Sequence, residues 1–450
     1  MNCLLSPKSL ALSGLLSVCL SLCLFPVVAD EADEIAELKR QIDIVAQRIA
    51  KLELQESGET EAKETIPIKT VDMKNVVKRG DRRNSILIPG TQTSLSFGGR
   101  LETSFIHDFD PRPSSRGGDI ASASSAKLPG DPEFKIRGDT HLTARNSVVN
   151  IITTTPTRFG QLRTHIEGDF NGPPNNKGSR GTTNRTVFGL RHAYGQLGNV
   201  LFGHYWTSYM DRTAFPTKIN GTGPVGRTFM RQGQLRYTHQ FENGGQWAVA
   251  LENPYSDFNG ADDENSADNY PDLISFYRYE HDRGHVQFAG LLRRVGIEEN
   301  FPGGAKDHAT GWGLNHTGSY RLPWDDRITW YINFGDGIGR YLDGGRRQGV
   351  TVNDEGKLET QFGYGGFVSY RHWWTKTFSS SIDFGTSNFK LNPEASSTSN
   401  KHLYSSNLNL LWEPVNRIRF GIEYIWGRRE VHDGRKGSIN RFQFTSRFTY

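Results

Sequence analysis

Cysteine disappears from this sequence after position 23. Cys3, Cys19 and Cys23 all lie in the apolar leader that opens the chain, so whatever follows it has neither disulfide nor thiol chemistry. Methionine is nearly as scarce, at 4 residues in 450. Past residue 30 no apolar run approaches the roughly 18 residues that a spanning helix needs, and the mean hydropathy is −0.58. Such a chain crosses a membrane with strands or not at all. Lysine is short as well: after residue 90 there are 10, with 31 arginines, against 36 Asp and Glu, a balance of 41 minus 36, or +5. Spread over alternating positions, this surplus makes no exterior basic patch, and nucleic-acid binding has no support.

What is present begins with a secretory signature over residues 1–29: Lys8, an apolar core from Leu10 to Leu24, and Val27, Val28 and Ala29 before Asp30. Residues 30–56 then place Ile35, Ile42 and Ile49 at heptad position a, with Leu38, Val45 and Leu52 at d. This spacing predicts a short coiled coil on the periplasmic side that permits a trimer without dictating one. Residues 57–90 are polar and read as a linker.

From residue 91 to 450 the pattern changes to alternating apolar and polar positions in segments of about 10 residues, typical of spanning strands. Seven short links are expected at TTP before Thr157, at 197–200, 242–245, 282–284, 323–326, 372–375 and 413–416. Eight long links rich in Gly, Asn, Asp and Ser begin near residues 110, 171, 209, 254, 295, 336, 387 and 428. Strict alternation of long and short links predicts sixteen antiparallel strands in an all-β transmembrane β-barrel wide enough to hold water. Trp206, Trp247, Trp312, Trp330, Trp373, Trp374, Trp412 and Trp426 suit the two lipid interfaces, which a secreted sandwich would not require.

The pleat then assigns faces. Leu95, Phe97, Leu101, Phe105, Leu162, Ile166, Phe170, Ile422, Phe444 and Phe448 face lipid. Arg100, Glu102, Arg163, His165, Glu167, Arg191, Arg236, Arg419, Glu423, Arg441 and Arg447 become candidate pore-lining residues, because charge at mid-bilayer on the lipid side costs roughly 2–4 kcal/mol. The third long link adds Arg212, Lys218, Arg227 and Arg231, a basic set with no acid nearby in sequence after Asp211. Folded inward, that link would narrow the pore, and Phe215, Phe229 and Met230 favour this over a fully solvated loop. The abundance of arginine suits carboxylate or phosphate, although Glu167, Asp169 and Glu423 leave room for a neutral lumen. The histidines form no metal-ligand spacing and no catalytic pattern, so neither cofactor nor enzyme activity is expected.

Five stretches in order, IPGTQTSLSFGGRLETSFIHDFD, TTTPTRFGQLRTHIEGDF, LRHAYGQLGNVLFGHYWTSYMD, GDGIGRY and LLWEPVNRIRFGIEYIWGRRE, give the sequence its likeness to known proteins. Over residues 88–450 it resembles the DcaP-like porins of Gram-negative outer membranes. The resemblance implies a homotrimer of sixteen-stranded barrels with a periplasmic coiled coil, surrounded by outer-membrane lipid and passing small anionic solutes such as dicarboxylates. Tyr450 stands where a terminal phenylalanine is usual. A phosphate-selective porin, and a barrel that anchors an envelope tether, are the competing readings.

Overall fold

The computed structural model describes Arg40, Asp43, Gln47 and residues 78–450, apart from 83, 112–118, 173–185, 222, 260–265 and 299–305. Arg40, Asp43 and Gln47 are helical. The expected signal segment, the heptad residues Ile35, Leu38, Ile42, Val45, Ile49 and Leu52, and the linker as far as residue 77 lie outside the described residues. The last part of the expected linker is not featureless. Ser85–Leu87 forms a short strand against the start of the first barrel strand.

Sixteen antiparallel strands close into a barrel. In chain order they are β1 (Ser94–Asp108), β2 (Asp139–Thr143 continued by Val148–Thr157), β3 (Gly160–Asp169), β4 (Gly189–Leu197), β5 (Val200–Trp206), β6 (Arg231–Gln240), β7 (Gly245–Glu252) and β8 (Asp272–His281). Then follow β9 (Gly284–Ile297), β10 (Asp307–Arg321), β11 (Arg327–Asp336), β12 (Phe362–Trp373), β13 (Phe378–Phe389), β14 (Asn400–Trp412), β15 (Ile418–Val431) and β16 (Lys436–Thr449). Each strand pairs with the next, and β16 returns to β1 with Leu101 opposite Phe448 and Asp108 opposite Arg441. That seam leaves no open edge, which lipid would not tolerate. In β2 the four residues 144–147 interrupt the ladder beside Glu102. Ser147 Oγ fills the gap, accepting from the Glu102 amide at 3.0 Å.

The alternation places large apolar side chains outward, where only lipid can cover them: Phe97, Leu101, Phe202 at 71% exposure, Phe288, Leu314 and Leu408. Inward positions are mostly polar or small, with buried apolar side chains such as Ile106, Ile274, Phe276, Leu291, Phe367 and Leu403 where links fill the interior. The links alternate as the sequence predicts, with shifts of detail. The strand containing TTP runs on to Thr157, so the turn is at 158–159. Trp373 is still in β12, and its turn falls at 374–377. The eighth link, expected to be long, is the four residues 432–435, because β15 and β16 each extend to 14 residues. Trp206 is no interface residue either; it is buried, 4% exposed, under the third link.

Candidate functional site

The barrel interior is divided by the third link, residues 207–230. It leaves the wall after β5 and lies against inward-facing side chains from β6 round to β15. Ser208 N donates to Glu252 at 2.6 Å, and Tyr209 Oη donates to Asn333 at 2.9 Å. Asp211 accepts from Arg278 (3.1 Å) and Thr317 (2.9 Å), and its carboxylate lies 2.7 Å from His285 Nε2. Further along, Asn409 reaches the Thr217 carbonyl, Ile219 N donates to Glu423 at 3.0 Å, and Val225 N donates to Ser405 at 2.9 Å. Each such bond contributes roughly 0.5–1.5 kcal/mol, and together they hold a stretch that has no regular structure beyond one 3-10 turn at Arg212–Ala214. Gly226, at φ +92°, lies so close to β12 that a Cβ would come within 2.3 Å of the Gly366 amide. Only glycine fits there.

Burial alone would raise the pKa of Asp211. Its hydrogen bonds with His285 and Thr213, and the charges of His285 and Arg278, outweigh that and hold the carboxyl well below the usual range. Two of the cations expected to stand free on the link are in fact paired. Lys218 is buried 3.8 Å from both Asp383 and Glu423, and Arg227 lies 3.9 Å from Asp343. Sequence proximity misled here, because these acids come from β13, β15 and the sixth link. Arg231 belongs to the strand rather than the link, as the first residue of β6.

The pore-lining candidates separate by partner. Arg441 is fully buried and forks onto Asp108 at 2.7 and 3.0 Å, while Arg100 (3.0 Å) and Arg447 (2.8 Å) share Glu102. Arg419 is paired with Glu413, and Glu423 is taken up by Lys218, Asn409 and Ile219. Arg191 bonds Glu167 at 2.8 Å and Asp169 at 2.6 Å. A register shift between Glu167 and Gly168, opposite Arg191, is the bulge that aims it there. His165 and His192 sit near Glu167, at 3.8 and 3.7 Å, beyond hydrogen-bond reach. Arg163 and Arg236, with Arg212 and Arg231, have no carboxylate within ion-pair distance among the described residues. They gather on β3, β6 and the start of the third link. Among the described residues, that link's hydrogen bonds to the strands fall on β6 to β15, and none reaches β1 to β4 or β16.

Residues 29–450 match the family described as DcaP outer membrane protein. The chain belongs to the DcaP family. It is similar in fold to the crystal structure of the outer membrane channel DcaP of Acinetobacter baumannii, with a TM-score of 0.70 and 18% identity over 83% of this chain and 100% of that one. An anion-selective porin from Comamonas acidovorans is a second structural neighbour, with a TM-score of 0.53 and 9% identity over 80% and 100% of the two chains. A third is a trimer form of OmpT from Vibrio cholerae, at 0.50 and 12% over 80% and 99%. The search of curated proteins found no match. This DcaP-family barrel is therefore an outer-membrane porin, a channel rather than an enzyme.

Sequence reasoning missed the aromatic side of the site. Tyr194 and Tyr205 face the lumen on β4 and β5 with ring centroids 4.7 Å apart, and Trp206 meets His192 edge-on and Phe229 at a tilt. A signal was available, since Tyr194 and Tyr205 occupy inward positions of strands whose outward positions are Leu190, Leu197, Val200 and Phe202.

Proposed function

We propose that this porin lets small anions, dicarboxylates among them, diffuse passively through its lumen. The observation that carries the reading is the wall on which Arg163, Arg212, Arg231 and Arg236 have no carboxylate partner among the described residues. An unneutralised guanidinium keeps both its field and its fork of N–H groups for a passing carboxylate. Arg231 opens β6 beside the Trp206 ring, and Arg236 lies further along the same strand beside Tyr205. Support comes also from the structural neighbour of Comamonas acidovorans, an anion-selective porin.

The working unit is a homotrimer with the helix of residues 30–56 in the periplasm. Among the described residues, the outward face of β1 to β5 carries no Trp or Tyr. The outward faces of β6 to β15 carry Tyr237, Trp247, Tyr277, Trp312, Tyr364, Trp412 and Tyr424. A gap in the aromatic belt suits a face covered by protein rather than by lipid headgroups. Reconstitution into a planar bilayer under a salt gradient tests both parts. The expected outcome is an anion-selective reversal potential with closure in three equal current steps; a cation-selective reversal sinks the solute reading, and single steps sink the trimer. Competition of that current by succinate and by phosphate separates the dicarboxylate reading from the phosphate-selective one.

A further inference from the structure

The four carboxylate-free arginines are not loose. Each lies over an aromatic ring: Arg231 with its guanidinium carbon 3.5 Å from the Trp206 ring centroid, Arg212 at 5.2 Å from the same ring, Arg236 at 5.6 Å from Tyr205, and Arg163 at 5.9 Å from Tyr194. Elsewhere in the lumen a carboxylate takes part: Asp108 holds Arg441 and Glu102 holds Arg100 and Arg447, while Arg340 and Arg227 have both a carboxylate and a ring, Asp272 with Tyr341 and Asp343 with Phe229. Arg327 and Arg429 instead donate to backbone carbonyls.

The two ways of holding a guanidinium differ in one respect that matters to a pore. A carboxylate fixes the side chain by cancelling its charge and occupying its N–H fork. An aromatic face attracts the cation through the ring quadrupole, adds no formal negative charge, and leaves the N–H edges in the guanidinium plane available. Four arginines crowded on a few strands repel one another, and without any restraint such long side chains would splay away. Arg231 feels the charges of both Arg191 and Arg212.

We propose that Trp206, Tyr205 and Tyr194 are positioning residues for selectivity, seats that hold Arg231, Arg212, Arg236 and Arg163 toward the lumen without neutralising them. This rests on the anion-porin reading and adds to it the residues through which the arginines act. The rings themselves are not solute-stacking platforms, because Trp206 is 4% and Tyr194 7% exposed. Trp206 Nε1 is buried and makes no hydrogen bond among the described residues, so what this tryptophan contributes at its site is its face. Tyr194 and Tyr205 stand 4.7 Å apart, and the His192 ring lies 4.8 Å from Tyr205 and 5.5 Å from Trp206, which ties the seats into one continuous strip along β4 and β5.

The test pairs a ring-removing with a ring-keeping substitution at two independent seats: Trp206→Leu with Trp206→Phe, and Tyr205→Leu with Tyr205→Phe. Each full-length variant is purified as the oligomer and measured in planar bilayers for single-channel conductance and for the anion-to-cation permeability ratio in potassium chloride. The leucine variants are expected to lose roughly two- to fivefold of that ratio at nearly unchanged conductance, and the phenylalanine variants to retain it. Leucine variants that keep the wild-type ratio overturn the proposal. So do phenylalanine variants that lose as much as the leucine ones, since the hydroxyl or indole N–H would then be responsible. If Trp206→Leu does not assemble, the Tyr205 pair decides alone. A wild-type channel that prefers cations would refute the anion-porin reading itself, an outcome visible before any variant is made.

Discussion

Two walls of one barrel treat the same residue type in opposite ways. From β8 to β15 the third link lies against the inner surface, and several cations there are paired with carboxylates: Arg278 with Asp211, Arg340 with Asp272, Lys218 with Asp383 and Glu423, while Arg327 and Arg429 bond backbone carbonyls. From β3 to β6 the arginines have no carboxylate partner among the described residues and are seated on rings instead. The first wall uses charge as structure, because only a satisfied ion pair can be buried without a large penalty. The second leaves charge without a carboxylate partner, at the cost of mutual repulsion. Net charge is blind to this division. A surplus of a few positive charges over the whole barrel says little, whereas the location of the unpaired ones says a great deal.

The division breaks most visibly under charge reversal. Replacing Arg231 and Arg236 together by glutamate is expected to turn anion preference into cation preference, read as a change of sign in the reversal potential. A smaller effect is expected on the covered wall from Asp211→Asn, which removes one of the two carboxylates on Arg278 and leaves Glu280. Loss of a hydrogen bond to a charged group costs about 1.5–3 kcal/mol, so the variant should show noisier current and a lower thermal midpoint at little change in selectivity. The pH dependence follows from the sign. The carboxyl of Asp211 is held below its ordinary pKa, so its stabilisation is fully present above the ordinary carboxylate range and is lost only as pH falls through the lowered value. The gap between wild type and Asp211→Asn should therefore stay constant from pH 7 to about pH 4 and shrink below that, as thermal melts across the range would reveal. The smallest change is expected from Arg100→Gln. Arg447 remains to neutralise Glu102, so stability should move by no more than about 1 kcal/mol and selectivity hardly at all. A large selectivity loss in that variant would erase the distinction between the walls.

Much of the fold was legible because period-two alternation and turn residues are local signals. Arg163, Glu167, Arg441 and Arg447 face inward in the structure as their positions in the pleat require. The links were readable in number and order but not in length at 432–435, where nothing local distinguishes a long strand from a strand plus loop. The partners were not legible. Lys218 and Arg227 looked free because Asp383, Glu423 and Asp343 lie more than a hundred residues away in sequence, and only barrel closure brings them near. Trp206 looked like a lipid-interface residue for a similar reason. Its role depends on where the following link folds, which alternation does not encode.

Asp108 and Arg441 are 333 residues apart, yet they meet with two hydrogen bonds where the last strand joins the first. A barrel offers many near-equivalent ways to zip its final seam, and a slip by one position would turn Arg441 toward lipid and Phe442 and Phe444 toward water. With a charge on the lipid side costing roughly 2–4 kcal/mol, and Asp108 stranded without its fork, the misregistered barrel is penalised twice. The pair is satisfied only when the first and last strands meet in this one register.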